Sequence, residues 1–88
     1  MEFCKSYNEK ATLIYHIVRF WEGEKTGEHV EMRVEKENEP DVYAEFTLPA
    51  YHCHHAYGFK ESELDGIETF MRNNSVSIWD MARETCHA

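Results

Sequence analysis

Basic residues are scarce in this chain. Nine Lys and Arg stand against seventeen Asp and Glu, a formal charge of −8 over 88 residues. Binding a phosphate backbone needs a stripe of cations to replace released counterions, and no such stripe exists. Autonomous binding to nucleic acid or to an anionic membrane is therefore disfavoured, and a basic protein partner is favoured by the opposite field. Long apolar runs are also missing. The longest, from Ala11 to Val18, is broken by Thr12 and His16, far short of the ~20 residues that span a bilayer. The beginning, Met1-Glu2-Phe3-Cys4-Lys5, lacks the charged-then-apolar order of a signal peptide. A cytoplasmic location follows as an expectation, with Cys4, Cys53 and Cys86 as thiols. Three cysteines cannot close a full disulfide framework in any case.

Glycine is sparse as well, dispersed at 23, 27, 58 and 66, so no phosphate-cradling loop can form from it. There is no nucleophile elbow and no His-Glu-x-x-His helix. Cys53 has histidine neighbours, but adjacent residues on a strand point to opposite faces, a poor arrangement for activating a thiol. The expectation is a non-enzymatic protein.

Aromatic residues are plentiful, with five Tyr, five Phe and two Trp, which excludes a disordered tail. Residues 11–21 are β-branched and aromatic, with apolar groups on both faces, and predict a central strand covered on both sides. Residues 28–36 alternate cleanly, Val30, Met32 and Val34 opposing His29, Glu31, Arg33 and Glu35. Residues 41–48 alternate again after a turn at 37–41 marked by Pro40. Residues 50–59 show no period and read as a His-rich crossover. Beyond them Leu64, Ile67, Phe70 and Met71 share one helical face over 61–73. Ile78, Trp79, Ala82 and Cys86 resume the stripe over 76–86 after Asn73-Asn74-Ser75. The predicted fold is α+β: a three-stranded antiparallel sheet followed by one broken or two successive helices, in a single domain.

The stretch from Glu45 to Glu84 resembles a small uncharacterised bacterial family whose members often lie beside toxin–antitoxin-like genes. The residues that carry the likeness are Phe46, Leu48, Gly58, Phe59, Glu63, Leu64, Ile67, Asn74 and Trp79. Lys60 stands where that family has a capping Ser, the hairpin is longer and more acidic, and the tryptophan comes earlier. The resemblance implies a bacterial source and a partner encoded nearby, with no established activity.

Two groups of candidate site residues remain. Seven glutamates outnumber three basic residues between 22 and 39. Of these Glu31, Glu35 and Glu37, with Tyr43 beside them, are the candidate docking residues for a protein partner or a second copy. The usual alternative for such a run is a solvated face that also blunts a sheet edge. The second group is Tyr51-His52-Cys53-His54-His55. Imidazole and thiolate are zinc ligands, and His52, Cys53 and His54 with Cys86 would supply four. The spacing fits no zinc motif, and a polar loop accounts for the histidines equally well. No cofactor is expected, with zinc as the alternative.

Overall fold

The structure, a computed structural model, describes residues 1–7 and 11–86, with side chains as far as Glu84. Five strands precede two helices: β1 (Glu2–Tyr7), β2 (Thr12–Gly23), β3 (Gly27–Lys36), β4 (Glu39–Leu48), β5 (His52–Tyr57), α1 (Glu61–Asn73) and α2 (Ser75–Cys86). The strands form one antiparallel sheet in the order of the chain. Antiparallel sheet and C-terminal helices are as the sequence predicts, but the sheet has five strands where three were expected. β1 adds a strand beside β2, and the expected crossover contains β5. Both additions are edge strands, and edge strands carry little of the inward apolar pattern that reveals a strand in sequence.

Both helices lie on one face of the sheet. The core between the layers holds Leu13, Tyr15 and Ile17 from β2, Val30, Met32 and Val34 from β3, and Ala44, Phe46 and Leu48 from β4. Ile67 and Met71 from α1 and Ile78 and Ala82 from α2 close it. Covering an alternating sheet on one side suffices to bury its apolar set. β2 is therefore not covered twice: Ile14 is only half-buried and Val18 is exposed on the other side.

A bulge between Ile17 and Arg19 explains the two-faced composition of β2. One inserted residue reverses the side-chain phase. Beyond it Phe20 packs inward, its ring 6.4 Å from Trp79, and Trp21 turns outward. In strict alternation Arg19 would share the inner face with Leu13, Tyr15 and Ile17, and the bulge removes that conflict. Pro40 lies inside β4 rather than in the turn, in a second irregularity where Lys36 pairs Glu39 and Glu35 pairs Tyr43. A residue without an N–H donor is tolerated where the ladder is already interrupted.

Lys60 precedes α1, and the Glu63 carboxylate accepts a hydrogen bond from its backbone N–H at 2.9 Å. Ser62 therefore lies inside the helix rather than at its cap. Asn74 serves both helices. Its backbone N–H and its Nδ2 donate to the Phe70 carbonyl, and its own carbonyl accepts from Ile78 N–H at 3.0 Å. The capped end of α1 is thus the start of α2.

Candidate functional site

The face of the sheet turned away from the helices carries a continuous set of polar and aromatic side chains. Cross-strand register puts Lys5, Ile14, Glu35, Tyr43 and Tyr57 in one row across it, and His16, Arg33, Glu45 and His55 in the next. Arg19, Glu31, Thr47 and His52 follow, then Trp21 beside His29.

Two stacks organise these rows. In the first, the Arg33 guanidinium lies over the Tyr43 ring at 4.0 Å, and the Tyr43 hydroxyl is 2.9 Å from His55 Nε2. In the second, Arg19 lies over the Trp21 ring at 4.4 Å, and Trp21 stacks on His29 at 5.2 Å between centroids. Carboxylates hold both arginines in place. Arg19 Nε donates to Glu31 at 3.1 Å. Arg33 meets Glu35 at 3.4 Å and Glu45 at 3.8 Å. His16 closes the network with Glu35 at 3.0 Å. Guanidinium groups stacked on rings and tied to carboxylates lose rotamer freedom before any partner arrives.

The expected docking glutamates are all inside this network or at its border. Glu31 pairs Arg19, Glu35 pairs Arg33 and His16, and Glu37 pairs Lys5 at 2.9 Å. The pairing with Glu37 pushes the Lys5 pKa up. Tyr43 lies at the centre of the face. Tyr15, on β2, is 1% exposed and belongs to the core instead. The excess negative charge sits instead at the sheet's ends. Glu22 and Glu24 at the β2–β3 turn and Asp41 near the β3–β4 turn form no ion pair among the described residues. Glu28, from the same acidic run, is taken by Arg83 of α2 at 2.7 Å, which raises the Arg83 pKa.

Among the described residues the candidate zinc ligands do not converge. His52 and His54 share the open face, their rings 6.2 Å apart. Cys53 faces the helices, where it packs against the core, and its thiol donates to the His55 carbonyl at 3.6 Å. A bulge between His55 and Cys53 in the pairing with β4 puts His55 on the open face too, opposite Glu45. Strict alternation would have kept it with Cys53. The Cys86 side chain lies outside the described residues. Among the described residues no three His, Cys, Asp or Glu side chains are grouped to hold a metal. Cys4 is also turned toward the core, and burial, with help from Glu2, pushes its thiol pKa up. A raised pKa makes a thiol less reactive.

Sequence reasoning missed His16, Arg19 and Trp21 as members of the face, whereas His29 falls on the polar side that the alternation of 28–36 predicts. A signal was present: an arginine falling on the apolar stripe of β2 marks a break in phase. Among the described residues, no helix is long and apolar enough to cross a membrane. Comparison of the chain with protein-family models, with curated proteins and with solved structures finds no match.

Proposed function

We propose that this chain is a non-enzymatic interaction module that docks a basic protein on the uncovered face of its sheet. The observation that carries this reading is the pair of preassembled arginine–aromatic–histidine stacks on the face turned away from α1 and α2. Tyr, Trp and Arg are the side chains enriched at protein interfaces and at their energetic centres. The face is close to charge balance at its middle, while unpaired carboxylates sit at the hairpin ends and the whole chain carries −8. A partner with a ring of cations around an aromatic or polar centre complements that distribution. On this reading the partner is encoded by a neighbouring gene, as the resemblance over residues 45–84 implies, and the pair meets in the cytoplasm.

The test uses two kinds of variant against the product of the adjacent gene. Trp21→Ala with Tyr43→Ala removes one ring from each stack and is expected to weaken binding by at least about thirtyfold, the equivalent of the 2 kcal/mol or more of interface hot spots. Charge reversal at Glu22 and Glu24 is expected to slow association and flatten its salt dependence with little change in dissociation. Those two positions discriminate better than Glu31, Glu35 and Glu37, whose reversal would also break pairs within the chain. Titration calorimetry reads the first effect and stopped-flow mixing the second. Binding indifferent to the ring substitutions would overturn the assignment of the face.

A further inference from the structure

β5 ends the sheet, and five of its six residues are exposed. The two outer strands differ in charge. β1 carries Glu2 and Lys5, whereas His52–Tyr57 holds no Asp, Glu, Lys, Arg or Pro in a chain that is 30% charged. Charged side chains and proline commonly keep an edge from pairing with another chain. β5 has neither. It has a bulge, and the bulge decides which strand can fit beside it.

On β5, His52 lies opposite Thr47, His55 opposite Glu45 and Tyr57 opposite Tyr43, all on the open face. His54 stacks with His52 on that same side. Cys53 and Ala56 lie opposite the core residues Phe46 and Ala44, on the helix side. From His52 to Tyr57 the facing is open, helix, open, open, helix, open, which reads the same from either end. Six residues in strict alternation cannot do this, because their first and last side chains point to opposite faces. Antiparallel residues set opposite each other share a face. The bulge therefore lets β5 overlap a reversed copy of itself along its whole length, with like faces matched throughout.

We propose that a second copy of this chain pairs antiparallel with the outer edge of β5, about a two-fold axis between His54 and His55. His54 of each copy lies opposite His55 of the other, His52 opposite Tyr57, and Cys53 opposite Ala56. The two sheets become one, with the helices of both copies on one side and both open faces on the other. Such a contact uses the same patch on each chain and closes at two. Its backbone hydrogen bonds require no special side chains. Each chain carries −8, and an edge without carboxylates of its own lets two such chains approach at small electrostatic cost. Glu45, across from His55, is already paired with Arg33 at 3.8 Å. A six-residue edge buries little area, so the dimer is a weak one. It does not depend on the open-face reading, since that face stays uncovered.

Sedimentation velocity from about 10 μM to about 1 mM chain, the range of weak association, tests it. Chelator and reductant are present, so that neither a metal nor a Cys53 disulfide joins the chains. A reversible dimer is expected within that range. In a mixture of differently labelled chains, contacts are expected between Cys53 of one copy and Ala56 of the other, and between His52 and Tyr57. His54→Lys brings two ammonium groups beside the axis and is expected to weaken the dimer at least tenfold. Tyr57→Lys, at the strand end, is the second variant, and the amide spectrum of each verifies that it is folded. A monomer throughout, contacts placing another surface at the two-fold axis, or dimerisation unchanged in the folded variants would each overturn the proposal.

Discussion

Gly58 shows how one residue can be fixed by two independent demands. Its φ is +84°, a region open to glycine and strained for other residues. A Cβ there would also lie 2.9 Å from Val42 Cγ2. Gly58→Ala should therefore destabilise the protein by about 1–3 kcal/mol, measured by urea unfolding. Gly66→Ala should do the reverse, because that position has room and a helical backbone. The pair separates a glycine the backbone needs from one it does not. The sequence marks both positions but not the difference, which lies in φ and in the neighbour across the strand.

At the scale of the element, legibility followed packing. β3, whose inner and outer sets alternate without interruption, was open to a period-two reading. β5 was not, because one bulge puts His54 and His55 out of phase and only Cys53 reaches the core from its centre. β1 was equally hidden: its burial alternates poorly and its pairing shifts between Glu2 and Cys4. The candidate glutamates and Tyr43 could be named from alternation, but their intrachain partners could not, since Arg19 and Glu31 meet only through a bulge and a register. Deleting Val18 tests that bulge. With Ile17 opposite Met32 and Arg19 opposite Glu31, removing the residue between them straightens the strand and leaves Phe20 against Trp79 and Trp21 against His29. Little change in the urea midpoint is expected, with the Trp21–His29 contact kept in the spectrum. A loss of several kcal/mol, as for removal of a large core aromatic, together with loss of that contact would show that the facing of Phe20 and Trp21 depends on the inserted residue.

For the whole molecule, four groups hold their protons more tightly than usual, and three of them, all but Arg83, bear on stability below pH 11. Cys4, Tyr15 and Lys5 all have pKa values raised above the ordinary 9.0, 10.0 and 10.5. A group raised on folding contributes stability that is complete below its unfolded pKa and lost above it. Cys4 and Tyr15 resist ionising because they are buried, and Lys5 holds its proton for Glu37. Thermal stability should therefore be flat up to about pH 8.5 and fall above about pH 9, read as melting temperature between pH 7 and 11. Tyr15→Phe should flatten the fall at the cost of the Ser6 hydrogen bond. The order of elements along the chain has a further consequence for biosynthesis. All five strands emerge from the ribosome before either helix exists, and every strand can pair with its predecessor as it appears. Until residues 61–86 follow, the side of the nascent sheet bearing Leu13, Ile17, Met32 and Phe46 has no lid. For a few seconds, at roughly 5–20 residues per second, the unfinished polypeptide presents a sticky plane to its surroundings, the moment at which a ribosome-associated chaperone would act.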